Sequence, residues 1–86
     1  MTCRIDRVSI EEGVVLRVSG RLTGAGLEVL RTALGERGVV AIELAEIELV
    51  DLDAVTLLAL AEVNGIELRN CPAYIREWVT RERGGG

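Results

Sequence analysis

Within residues 43–53 the chain carries five carboxylates, Glu43, Glu46, Glu48, Asp51 and Asp53. Two carboxylates in one turn can divide the work of general acid and base, or hold Mg²⁺ together with waters. The neighbouring residues argue against both. Residues 39–55 hold no Ser, Thr or Cys that could act as a nucleophile. The whole chain has no His and no Lys. The usual base near neutral pH, the commonest metal ligand and the Schiff-base amine are therefore missing. A structural reading is simpler. Asp51 caps a helix, Asp53 sits in its first turn where the dipole favours negative charge, and the glutamates keep a connector soluble. We expect no catalytic residue, no metal site and no cofactor.

Other reactive or ligand-binding residue types are sparse. Cys3 and Cys71 lie near opposite ends, without CxxC spacing or a His companion. A zinc site needs more ligands than this. They read as free thiols packed as small hydrophobes, and a disulfide needs both a fold that joins them and an oxidising compartment. Gly20, Gly24 and Gly26 precede a helix, but they match neither GxGxxG nor GK[ST]. A turn that needs a flexible backbone explains them better than phosphate binding at the helix N-terminus. Tyr74 and Trp78 are four apart on one helix face. They can stack a base, but more simply they close the core under the last helix.

The elements that position these residues follow from length and patterning. Eighty-six residues make one domain, read as residues 1–83 with a flexible Gly tail at 84–86. Hydrophobic residues make up 49%, yet Tyr74 and Trp78 are the only aromatics, so the core is aliphatic. The net charge is −4, which gives no general attraction to phosphate backbones or anionic membranes, so we expect no nucleic-acid partner. No apolar run is long enough to span a bilayer, and the N-terminus lacks a signal-peptide pattern, so membrane insertion is not expected and a cytoplasmic protein is. All ten basic residues are Arg, which fits coding bias in a GC-rich genome.

Two runs joined by Glu11-Glu12-Gly13 read as a hairpin. Gly20-Arg21-Leu22-Thr23 breaks the second run, and Thr23 is placed to cap a helix carrying Leu27, Leu30, Ala33 and Leu34. Gly35 or Gly38 ends that helix in a left-handed cap. Residues 39–44 form an apolar strand, which suits an interior position covered on both faces. Residues 45–50 read as a connector with Ile47 and Leu49 tucked inward. Asp51 caps the second helix and Asn64-Gly65 stops it. A short strand follows, then a helix opening at Pro72. The predicted fold class is α/β, a small domain with a mixed sheet of about four strands and helices packed against it, in the order β-β-α-β-α-β-α. The strands are expected near 3–10, 13–19, 38–44 and 65–69, and the helices near 24–35, 52–63 and 72–82.

The second helix departs from a surface helix of ordinary pattern. At about 100° per residue, Ala54, Val55, Leu57, Leu58 and Ala61 gather on one arc. The opposite arc holds Leu52, Asp53, Thr56, Ala59, Leu60 and Val63, where charges would be expected. Either a loop or the last helix covers this arc, or it is a protein interface. Asp51, Leu52, Asp53, Thr56, Leu60 and Val63 are the candidate partner-binding residues.

Several stretches together resemble the STAS domain, the module shared by sulfate transporters and bacterial anti-sigma factor antagonists. They are the strand ending in Gly20-Arg21-Leu22, the apolar strand at 39–44, Leu49-Val50-Asp51 leading into the second helix, and Gly65-Ile66-Glu67-Leu68-Arg69-Asn70 before the last one. The resemblance spans about residues 12–80. It implies a non-enzymatic regulatory module that binds an anti-sigma factor or another regulatory protein. In phospho-switched members the turn reads apolar-Asp-Ser-Ser/Thr-Gly-apolar, and a partner kinase phosphorylates the first Ser. Here Asp51 matches the Asp, Leu52 stands at the phosphorylated Ser, Asp53 at the second hydroxyl residue and Ala54 at the Gly. Glu43 replaces the Asp common near the end of the central strand. Leu52 has no oxygen to modify, and the Asp53 carboxylate is a poor copy of a dianionic phosphate. Other readings are a soluble STAS subunit of a lipid-transport ABC system, a second copy of the chain on the same surface, and a small ligand-binding protein or enzyme using the acidic turn. A STAS-directed serine kinase should leave residues 48–63 unmodified, because Thr56 is the one hydroxyl there. Intact-protein mass spectrometry after incubation with such a kinase checks this, and a phosphosite mapped within the segment contradicts it.

Overall fold

The computed structural model describes residues 3–84. Strands β1 (Cys3–Ile10) and β2 (Gly13–Leu22) form an antiparallel hairpin. Helix α1 (Gly24–Leu34) leads to β3 (Val39–Val50), helix α2 (Leu52–Val63) to β4 (Glu67–Arg69), and α3 (Ala73–Gly84) ends the described chain. The sheet order is β1-β2-β3-β4, with β3 parallel to both of its neighbours. This is the mixed four-stranded α/β fold and the element order expected from the patterning, with β3 in the interior.

The layering differs from expectation. One buried cluster gathers Leu16 and Val18 of β2, Ile42, Leu44, Ile47 and Val50 of β3, and the buried faces of all three helices. The helices therefore cover one side of the sheet only. The other side carries a row of charges in register: Asp6 pairs with Arg17, Arg17 with Glu43, and Glu43 with Arg69. So β3 is interior without being covered on both faces, and its apolar run has another cause. Val15 and Ala41, cross-strand partners on the charged side, are buried but lie outside the main cluster.

Strand β3 also runs to Val50, through the stretch that reads as a connector. Its register against β2 shifts between Val14 and Val15, between Arg17 and Ser19, and between Gly20 and Arg21. A bulge inserts one unpaired residue and flips the alternation that follows. The buried positions thus fall at Ile42, Leu44, Ile47 and Val50, a spacing that two-residue periodicity cannot recognise. Ile47 tucks inward as expected; Leu49 does not, and is 48% exposed. Strand β2 likewise continues to Leu22, across the Gly20-Arg21 break.

Several local details differ from the pattern expected of the sequence. Thr23 occupies the N-cap position of α1 with extended backbone, but its side chain makes no capping bond. Gly35 at the C-cap is right-handed, φ −78°, and the left-handed residue is Gly38, φ 87°. Helix α3 begins at Ala73, with the Pro72 carbonyl accepting from the Arg76 N–H at 2.9 Å. Its buried face is Ile75 and Val79, with Trp78 partly buried against the core. Tyr74 is 54% exposed and does not close the core, because it precedes Ile75 by one position and so projects to the side. Gly84 closes α3, and the remainder of the Gly tail lies outside the described residues.

The Glu11-Glu12 turn is fastened to the start of β3. Gly13 has φ 150°, a conformation side chains rarely adopt, and the next residue, Val14, donates its N–H to the Gly38 carbonyl at 2.7 Å. A Cβ on Gly13 would lie 2.3 Å from the Gly38 oxygen and 2.9 Å from Val40 Cγ1. Gly13→Ala should cost about 2 kcal/mol or more of folding stability, since backbone strain and collision act together. Urea denaturation measures it, and an unchanged midpoint would show that the hairpin is not fastened there.

Candidate functional site

The site begins where β3 ends. Val50 is buried and anchors the strand end, and Asp51 turns the chain into α2 with extended backbone. Its side-chain oxygen Oδ1 accepts from the Ala54 N–H at 2.9 Å, and its carbonyl accepts from the Val55 N–H at 3.0 Å. This is the N-cap bond that satisfies an orphan donor of the first turn. Asp53 follows in that turn and is exposed. Asp51 is thus a structural carboxylate, as its position in the sequence suggests.

The helix then buries Ala54, Val55, Leu57, Leu58, Ala59 and Ala61. Leu58 is fully buried, and the arc predicted to face the core does so. On the other arc Ala59 is buried too, because α3 packs against that flank. The rest of that arc is open. Leu52 is 53% exposed, Leu60 55% and Val63 61%, and Thr56 is also exposed. Among the described residues neither a loop nor the last helix covers them. The structure therefore gathers Leu52, Asp53, Thr56, Leu60 and Val63 into one ridge along α2, with Asp51 at its base. Leu60 stands between two grooves. One is lined by Arg31, Leu34, Gly35, Leu57 and Ile66, between α1 and α2. The other is lined by Thr56, Ala59, Val63, Glu82 and Arg83, between α2 and α3. Asp51 and Asp53 line neither groove.

Glu62 fixes the α3 side of the ridge. Its carboxylate accepts from both terminal nitrogens of Arg76, at 2.8 and 2.6 Å, and from Arg83 at 3.0 Å. The Arg76 bond is the main reason the Glu62 carboxyl titrates below the ordinary range, opposed by partial burial and helped by Arg83. Arg76 is held correspondingly more basic by the same carboxylate. This clamp leaves no signal in the sequence, because its members are distant in the chain and only the α2–α3 packing unites them.

The five sequence-adjacent carboxylates do not gather at one point: Glu43, Glu46 and Glu48 lie on the charged side of the sheet, and Asp51 and Asp53 open α2. Glu43 accepts from the Asn70 side-chain amide at 3.0 and 2.8 Å, and from the Ala45 N–H at 3.2 Å. That bond steadies Asn70, which has φ 52°. Glu46 and Glu48 line a shallow depression on the charged side of the sheet with Arg4, Asp6 and Arg17. Among the described residues no group of three or more His, Cys, Asp or Glu could hold a metal ion. Cys3 and Cys71 are free thiols, both partly buried against the core, and burial raises the pKa of each. No described helix is long and apolar enough to cross a membrane. No family model matches the chain, and no curated protein matches it in sequence.

The Glu62 clamp has a defined pH signature. Its carboxyl titrates lower in the folded protein than in the unfolded chain. Its contribution is therefore complete above the unfolded carboxylate value, and is lost as pH falls through the lower folded one. Glu62→Gln should cost about 1 kcal/mol at pH 7, a figure discounted because Arg76 is partly exposed, and the difference from wild type should vanish once Glu62 is protonated in both states. Paired urea titrations from neutral to strongly acidic pH check this, and a difference that persists in acid would assign it to packing instead.

Proposed function

We propose that this chain is a non-enzymatic, cytosolic protein-interaction module of STAS type. It binds a regulatory protein, with an anti-sigma factor the leading class, through the α2 ridge and the turn at Asp51. The observation that carries the reading is the exposure of Leu52, Leu60 and Val63 along one helix of a small domain. A solvated helix places charges on such an arc, and aligned exposed aliphatics mark contact surfaces. Further support comes from the Asp51 cap, which spends its carboxylate on the backbone, and from the element order that the resemblance implies. With Leu52 at the position of the phosphorylated Ser, binding is constitutive with respect to that switch.

Leu60 and Leu58 separate binding from folding. Leu60→Asp leaves the core untouched but charges the centre of the ridge. A leucine of this kind contributes roughly 1.5–3 kcal/mol when a partner buries it fully, so affinity should fall ten- to a hundredfold. Leu58→Asp should unfold the domain, because it buries an unpaired charge. Affinity capture with wild-type and Leu60→Asp baits, each checked by circular-dichroism melting, tests the pair. The expected outcome is a protein retained by wild type and lost by a folded Leu60→Asp. An unfolded Leu60→Asp, or a partner retained equally by both, overturns the reading.

A further inference from the structure

Strand β1 is an edge strand: its one neighbour in the sheet is β2. The pairing with β2 is unbroken from Cys3 with Gly20 to Ile10 with Gly13. The direction of its free backbone groups follows from one bond. Val14, the partner of Ser9, sends its N–H away from β1 to the Gly38 carbonyl. Ser9 and Val14 are therefore a non-bonded pair, and bonded and non-bonded pairs alternate in an antiparallel ladder. The N–H and C=O groups of Cys3, Ile5, Arg7 and Ser9 then face the open edge. Such a row is a template for another strand unless the fold guards it. Among the described residues no bulge or proline guards this one.

We propose that the β1 edge takes the β1 edge of a second copy, antiparallel and centred on Ile5. Cross-strand partners face the same side, so a two-fold axis through the sheet allows a limited set of registers. Centring on Arg4 or Asp6 sets that residue against its own copy, charge against like charge, and centring on Arg7 sets Asp6 against Val8 with no opposite charge. Centring on Ile5 instead pairs Arg4 with Asp6 twice. In that register Ile5 and the Cys3–Arg7 pairs exchange backbone bonds. The Arg4–Asp6 pairs fall at the non-bonded positions, where side chains approach most closely. The row on the charged side runs Arg69, Glu43, Arg17, Asp6. Arg4 of the second copy continues its alternation. Arg7 brings no free charge to the seam, because Glu36 binds its guanidinium through two nitrogens. On the helix side Cys3 and Ile5 are only partly buried, and pairing covers them further. The assembly is one eight-stranded sheet with all helices on one side and both α2 ridges free.

Sedimentation of the intact chain from micromolar to millimolar concentration tests this, with two charge reversals. Arg4→Asp sets acid against acid at both seam positions, and Asp6→Arg sets base against base. Each should weaken the dimer at least about tenfold. Both sites are exposed enough that folding, followed by circular dichroism, stays intact; the side chains are 78% and 39% accessible. An equimolar mixture of the two variants should dimerise again, since each strand then faces its opposite. Arg4 Nε also binds the Asp6 carboxylate within the chain at 3.1 Å, and loss of that pair cannot produce the rescue. A wild type that stays monomeric throughout, reversals without effect, or a mixture without rescue each overturns the proposal. So does a dimer abolished by Leu60→Asp alone, which would place self-association on the α2 ridge.

Discussion

The structure depends on the burial of the inner row of β3, Ile42, Leu44, Ile47 and Val50, beneath a single layer of helices. A chain of this length has little interior to share. With helices on one side only, every inward side chain of the sheet must meet a helix, and every buried helix face must meet that row. Helix α2 carries most of this demand. Six of its twelve residues are buried, and it packs against α1, α3 and the sheet. That crowding explains why α2 is so apolar. It does not explain Leu52, Leu60 and Val63, which remain on the outside after the packing is complete. The ridge is surplus to folding, and this is the physical basis for proposing it as a recognition surface.

The same constraint accounts for the bulges in β3. A strand of twelve residues beside the ten of β2 must stay in register while its side chains reach a curved helix layer. Each register shift realigns the buried set with the helices. The outer side of the sheet carries no such demand, and there the register shows as a row of alternating charges. Exposed pairs of this kind add little stability. They do discriminate between registers, because the wrong one sets like charges together.

Much of the fold was legible in the sequence, and the failures have particular causes. Helix α2 matched its expected range because Asp51 caps it and Asn64-Gly65 stops it, both local signals. The hairpin and interior β3 followed from alternation and apolar content. The second half of β3 was missed because its buried residues are spaced by bulges, which imitate a connector. One-sided covering was missed because an apolar run reads alike whether its partners are helices or neighbouring side chains; Ala41 and Val15 shelter each other on the charged side. Tyr74 was misplaced because a four-residue aromatic spacing marks a helix face without saying which face is buried. The exposed arc of α2 was legible from its angular positions except at Ala59, where α3 intervenes.

The acidic segment shows how sequence proximity can mislead about chemistry. Five carboxylates lie within eleven residues, yet β3 and its bulges send them to different places. Glu43 holds the left-handed Asn70 before α3, and Asp51 holds the first turn of α2. Glu46 and Glu48 remain on the charged side of the sheet, across from Arg17 and Arg4. Only Asp53 is left beside the ridge. Its charge stands next to Leu52 at the base of the ridge, while the Leu60 end is flanked by Arg31 on one side and by Glu82 and Arg83 on the other. A partner that buried Leu52 and Asp53 together would also have to satisfy that carboxylate, because an unpaired buried charge costs more than a leucine contributes. Such a partner is expected to present an apolar groove with a basic residue at the end that meets the Asp51 turn.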